Sequence, residues 1–261
     1  MTEEKKQRVK ETLKQSLRKK FQKYQPESKH MPFHYRLLGK DRMALFSFIH
    51  SINTTFGTSV YEPVALELAR GRYAIVKTQA KPHNEISVVA QQVIQNIIDE
   101  LISATREPKR ETEFNEIKHV CRVAPIKKIK PNLIDVWLED TDGNKYLIDM
   151  KTVKPNVEGF IGHKRKLLEW IAQELVRNPD SRVHSMIGIP YNPYEPKPYN
   201  RWTMRGMFDL TKEVLVADEL WDFIGGEGTN QDLLDCFEKA GIELRPEIDE
   251  HFAKFETIHN I

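Results

Sequence analysis

The 261-residue chain is poor in the features that mark out whole classes of protein. It has two cysteines, Cys121 and Cys236, which excludes a disulfide framework and a four-cysteine zinc site. No stretch approaches the roughly 18 consecutive apolar residues of a membrane helix. The opening MTEEKKQRVKETLKQ holds no apolar signal-peptide core, so a cytoplasmic protein without membrane contact is expected. A surplus of one charge is missing too: 40 Lys and Arg stand against 38 Asp and Glu, a formal net charge of +2. Overall basicity therefore does not announce a nucleic-acid partner. None of the nine histidines stands in an HExxH motif or another paired metal-ligand spacing. The glycines of "IGGEG" (224–228) are not followed by Gly-Lys-Ser/Thr, so they predict a tight turn and not a phosphate-binding loop.

What is present is 39% hydrophobic and 30% charged residues, in keeping with a globular protein of one large domain or two small ones. The charge is unevenly placed. Residues 1–30 hold ten Lys and Arg against four acids. Val9, Leu13, Leu17 and Phe21 recur there every four residues, predicting a helix with one narrow apolar stripe that ends by Pro26. A docked helix with a solvated basic face is preferred over a DNA contact. Helices are also predicted over 41–56, after the turn at 56–62 with Pro63 in its first turn, and over 86–104. Residues 105–116 read as a loop. The period then changes, and 118–124, 133–139, 145–153 and 182–189 read as strands, with "GHKRKLLEWIAQELVRN" a helix between the last two. A final helix over 229–240 is expected to start at Thr229 or Asn230 and stop at Gly241. The whole, 1–261, reads as one α/β domain. Helices flank a mixed central sheet, the N-terminal part is helical, and the sheet core lies at 118–190.

The informative stretch is "NLIDVWLEDTDGNKYLIDMKT" (132–152), because apolar strands rarely carry charges without a partner or a metal. Asp149 and Lys151 share one strand face, about 6–7 Å apart. Register decides where Asp135 lies. A two-residue Asp142-Gly143 turn would pair Asp135 with Met150 and separate the carboxylates. A three-residue loop, Thr141-Asp142-Gly143 with Gly143 left-handed, pairs Asp135 with Asp149. That second register gathers two carboxylates and an ammonium on one surface. Mg²⁺ is commonly held by one or two carboxylates plus substrate phosphate, so phosphodiester hydrolysis is the suggested chemistry.

Asp135 followed by Asp149-Met150-Lys151, after a hairpin and ahead of a basic helix, resembles the PD-(D/E)XK nuclease superfamily. The resemblance implies a restriction-endonuclease-like fold, two Mg²⁺-binding acids and a lysine assisting the nucleophilic water. The proline departs from the pattern, standing at Pro131 rather than next to Asp135. "GIPYNPYEPKPYNRWTM" (188–204), "WDFIGGEGT" (221–229) and "FGTSVYEPVA" (56–65) further resemble type II restriction endonucleases grouped around TdeIII. That likeness implies a homodimer cutting double-stranded DNA at a short palindrome of the GGNCC kind, paired with a cognate DNA methyltransferase. Glu62, with Glu67 behind it, could be the additional acid that superfamily members place on an early helix. The alternative is a helix-start glutamate favoured by the macrodipole.

Lys154, Asn156, His163, Lys164, Arg165 and Lys166 cluster beyond the catalytic strand, and a phosphate would explain cations near a helix start. Of these, Asn156, Lys164 and Arg165 are expected DNA contacts. The proline-stiffened loop interleaves Asn192, Lys197, Asn200 and Arg201 with aromatics. Asn192, Lys197 and Arg201 are the candidates there for reading bases. Besides a site-specific endonuclease, the sequence admits a structure-selective repair or junction nuclease, and a DNA-binding protein with no catalysis.

Overall fold

The computed structural model describes residues 1–24, 31–151, 157–199 and 202–257. The chain forms two compact units, Met1–Leu68 with Gly228–Ile261, and Ala69–Glu227. None of the described helices is long and apolar enough to cross a membrane.

The first unit is helical. Numbered in chain order, it holds α1 (Glu3–Lys23), α2 (Pro32–Leu38), α3 (Lys40–Phe56), a π turn (Gly57–Tyr61), α4 (Glu62–Ala69) and the last helix, α10 (Thr229–Thr257). Thr2 caps α1 by accepting from the Lys5 amide. Val9 and Leu13 of its apolar stripe are buried, and the Phe21 ring stacks on Phe48 and His251. Four of its cations pair with α10: Lys6 with Asp232 at 2.9 Å, Lys10 and Lys14 with Glu243, and Arg18 with Glu247 at 2.6 Å. The basic helix is thus a docked one. Pro26 lies outside the described residues. The predicted stop at Gly241 is overturned, since α10 runs on through Gly241 and Pro246. A glycine costs a helix about 1 kcal/mol, and contacts made beyond it offset that: Leu244 is buried, and Glu243 and Glu247 hold α1.

The second unit contains β1 (Ile75–Ala80), β2 (Glu85–Ser87), α5 (Val88–Ile102), α6 (Arg110–Val120), β3 (Ile126–Lys128), β4 (Ile134–Glu139) and β5 (Asn144–Met150). It continues with α7 (Val157–Arg177), β6 (Arg182–Ile189), α8 (Trp202–Arg205), β7 (Val214–Val216) and α9 (Asp218–Gly225). Its main sheet has the order β1-β4-β5-β6-β7. β1, β4 and β5 pair antiparallel, whereas β5, β6 and β7 pair parallel. This is the expected mixed α/β sheet with flanking helices. Two expectations fail at α6. Residues 110–120, read partly as loop and partly as strand, are helical because Ile117 and Cys121, four apart, are both buried on one side.

The hairpin joining β4 and β5 sets the register that matters. Asp140 and Asn144 close it through an amide-to-carbonyl bond of 3.1 Å, leaving Thr141, Asp142 and Gly143 as the loop. The Asp140 carboxylate accepts from the Asp142 and Asn144 amides at 3.0 and 2.8 Å. Gly143 has φ of 79°, a conformation that costs an L side chain about 1 kcal/mol or more, and a Cβ there would meet nothing within 4 Å. Gly143→Ala should therefore lower stability by about 1 kcal/mol through backbone strain alone, read from the urea midpoint. An unchanged midpoint would mean that the turn does not fix the register.

Candidate active site

Pairing of β4 with β5 runs from Glu139 opposite Lys145 to Val136 opposite Ile148. One further step sets Asp135 opposite Asp149, and alternation places both on one face with Lys151. Two oppositely disposed structural causes, an odd loop and a period of two, bring these three side chains together.

Asp149 is fully buried, with Lys151, Lys166 and His163 gathered around it. Lys151 Nζ lies 2.9 Å from its Oδ1, Lys166 donates to the same oxygen, and His163 Nδ1 lies 3.3 Å from Oδ2. Burial alone would raise this carboxyl, but His163, Lys151 and Lys166 outweigh it and hold the group far below the usual carboxylate range. Oδ2 is buried and makes no hydrogen bond. Asp135 differs. Its Oδ2 accepts from the Met150 amide at 2.8 Å, and Gln79 Nε2 approaches Oδ1 at 3.4 Å. Burial pushes its carboxyl up, Asp149 adds to the rise, and Lys166 and Lys151 oppose it. Burial, and not repulsion between the two carboxylates, is the largest cause of this rise.

Gln79, His163 and Lys166 were missed as members of this cluster. Gln79 has φ of 49°, unusual for a residue with a side chain, and this aims its carboxamide at Asp135 from β1. His163 and Lys166 come from α7, where a spacing of three puts them on one face. The i, i+3 pairing was visible in the sequence, but nothing there said which face of α7 meets the sheet.

Lys164, Arg165 and Lys166 point three ways, because successive helix residues are turned by about 100°. Lys164 is fully buried, bonded to Glu113 at 2.5 Å and to both oxygens of Glu213 at 2.7 Å. A phosphate has no access to it, which corrects its expected DNA contact. Arg165 is half-buried and donates to Gln95 of α5 at 2.6 Å. In the 190–199 loop, Asn192 donates to the Lys197 carbonyl at 2.8 Å and accepts from the Tyr194 amide at 3.0 Å, so its carboxamide braces the loop. Lys197 is exposed. Lys154, Asn156, Asn200 and Arg201 lie outside the described residues. Glu62 begins α4 in the helical unit and is buried, as is Glu67.

Among the described residues, no group of three or more His, Cys, Asp and Glu side chains is arranged to hold a metal ion. The available donors are the two facing carboxylates. They are hard oxygen ligands, and the unbonded Asp149 Oδ2 is a buried acceptor with spare capacity. Such a pair fits Mg²⁺, which keeps several waters and needs few protein ligands.

A family model described as type II restriction endonuclease, HinfI, matches residues 1–241. The chain belongs to this family. It is similar to the type II restriction enzyme MjaII of Methanocaldococcus jannaschii, with 30% identity over 227 residues, covering 82% of this chain and 59% of that protein. The chain thus spans about three fifths of the length of that relative. It is also similar to the type II restriction enzymes HgiCII and HgiEI of Herpetosiphon aurantiacus. Both are 25% identical over 224 residues, covering 83% of this chain and 80% and 79% of those proteins. The expected class, a type II restriction endonuclease, is the class of the family.

Proposed function

We propose that this protein is a cytoplasmic, Mg²⁺-dependent type II restriction endonuclease of the PD-(D/E)XK kind, cutting double-stranded DNA at a short GGNCC-like palindrome. The observation that carries this reading is the facing of Asp135 and Asp149 beside Lys151 at one end of the sheet. Asp135 and Asp149 would hold the metal, which supplies a water of lowered pKa and neutralises charge on the scissile phosphate. Lys151 keeps an ammonium group 2.9 Å from Asp149, where it can orient the attacking water and offset charge developing on the phosphate oxygens. The family match runs through both compact units, which supports treating 1–261 as one endonuclease domain. Glu62 remains a candidate third acid.

For DNA contact, Arg165, Lys197, Asn156 and Arg201 stay in the proposed set. Asn192 is better read as a brace for the loop that carries Lys197. A palindrome is read by two symmetric sites, so a homodimer is proposed. The exposed Phe33 and Leu37 of α2 and Phe46 and Ile49 of α3 offer apolar surface for a second copy. A cognate DNA methyltransferase would protect the host sites.

One digest tests the reading. Plasmid incubated with the protein should yield discrete bands with Mg²⁺ and remain intact with EDTA, and sequencing of the ends gives the site. Cleavage confined to branched or flapped substrates would indicate a structure-selective nuclease. Binding without cleavage on every substrate would indicate a non-catalytic DNA-binding protein.

A further inference from the structure

The nuclease motif accounts for Asp135, Asp149 and Lys151, but not for the second ammonium on Asp149. Lys166 donates to Oδ1, the oxygen that Lys151 already serves, while Oδ2 accepts no hydrogen bond. A lysine placed only for stability behaves differently in this fold. Lys164, two residues earlier and about 200° around α7, bonds both oxygens of Glu213 as well as Glu113. Lys166 also lies with its Nζ 4.7 Å from the centre of the Trp170 ring, one helical turn on. The ring is itself pinned by a 2.9 Å bond from its Nε1 to the Asn132 carbonyl. The ammonium therefore has a second favourable neighbour, independent of Asp149.

Charge balance gives these contacts a consequence. Two carboxylates, Asp135 and Asp149, face two ammonium groups, Lys151 and Lys166, with the His163 ring beside them. At their ordinary charges the two carboxylates and two ammonium groups balance before any divalent ion arrives. A cation entering beside Asp149 meets the repulsion of both lysines, and the relief must come from an added anion or from withdrawal of one lysine.

We infer that Lys166 is a positioning residue that holds Asp149 in the metal's absence and opposes metal entry, so that Mg²⁺ binds weakly until a substrate phosphate balances its charge. This inference rests on the metal-binding role proposed for Asp149. It makes DNA and metal mutually strengthening ligands, with Lys166 as the group through which the free protein is kept metal-poor.

Calorimetric titration of Mg²⁺ into the DNA-free, full-length protein tests it. Lys166→Met should tighten Mg²⁺ binding roughly tenfold over the wild-type chain. Lys166→Arg, which keeps the charge, should leave it near wild type. The stabilising shift in melting temperature on adding Mg²⁺ should also grow in Lys166→Met, by the logarithm of the gain in affinity. Should Lys166→Met fail to fold, Lys166→Gln serves the same comparison. Mg²⁺ binding that is lost in Asp149→Asn but equal in wild type and Lys166→Met would overturn the role of Lys166 and leave the metal site standing. Absence of any Asp149-dependent Mg²⁺ binding, in Lys166→Met as in wild type, would remove the metal role of Asp149 and this inference with it.

Discussion

Asp149→Asn should lose more than about a hundredfold of Mg²⁺-dependent plasmid cleavage, since even residues that merely support a metal ligand contribute 10–100-fold. The amide matches the carboxylate in shape but removes the negative charge on which Lys151, Lys166 and His163 converge. Stability should fall as well. Because the Asp149 carboxyl is held below its usual range in the folded chain, its ionised form stabilises the fold at pH values above the unfolded value of about 4. That contribution is lost as pH falls through the depressed folded value. Removing the charge at neutral pH leaves the half-buried Lys151 and Lys166 without their carboxylate, at a cost of about 1–3 kcal/mol. Asp135→Asn provides the contrast. The Asp135 carboxyl is raised, chiefly by burial, so neutralising it costs the fold less, and an amide oxygen can still accept from the Met150 amide. Both variants should lose cleavage, and Asp149→Asn should melt lower. Full cleavage by either variant would overturn the assigned site, and a lower melting point for Asp135→Asn would overturn the electrostatic account.

Much of the second unit was legible because its signals are local. The hairpin could be placed from Asp142-Gly143 and from the requirement that Asp135 share a face with Asp149, and the three-residue loop follows from that requirement. The α5 helix was legible from its apolar period, whereas its cap, the Ser87 hydroxyl accepting from the Ala90 amide, emerged only in the structure. Edge strands were not. β1, "IVKTQA", buries only Ala80 and leaves three of its six side chains exposed, and β7 is three residues long, so neither presents enough pattern to stand apart from loop. Helix α6 was hidden by its charge, since in "RETEFNEIKHV" only Glu113 and Ile117 are buried, and one of those is ionisable.

The site was legible along the chain and illegible across it. Asp149 and Lys151 stand two apart on one strand, so period two alone sets them on one face. Which cations of "GHKRK" meet them depends on the rotation of α7 about its axis, and that is fixed by distant residues: Glu113 and Glu213 capture Lys164, and Gln95 takes Arg165. Lys166 is left facing the sheet. A sequence-based choice among adjacent lysines had no means of weighing these partners.

The capture of Lys164 carries the second large effect. Its ammonium is enclosed by two carboxylates and the Phe208 ring, with none of the three charged groups exposed to solvent. Glu213 is tied further into the fold: its Oε2 accepts from the Asp209 amide at 2.9 Å, and its carbonyl accepts from the Ile187 amide of β6 at 2.8 Å. Burial pushes the Glu213 carboxyl up, with Glu113 adding to the rise and Lys164 opposing it. Lys164→Ala deletes the only bonded cation of this cluster among the described residues and leaves two buried carboxylates facing each other. The expected cost is about 3–5 kcal/mol, a fall of roughly 10 °C in melting temperature. Replacing all three together, Lys164→Met with Glu113→Leu and Glu213→Leu, should recover part of that loss, because an apolar core of similar volume avoids the desolvation of charge. Recovery stays partial, since the Lys109 and Asp209 amides lose their acceptors. If Lys164→Ala melted like the wild type and instead bound DNA weakly with a flattened salt dependence, Lys164 would be a phosphate contact and its burial here would be wrong.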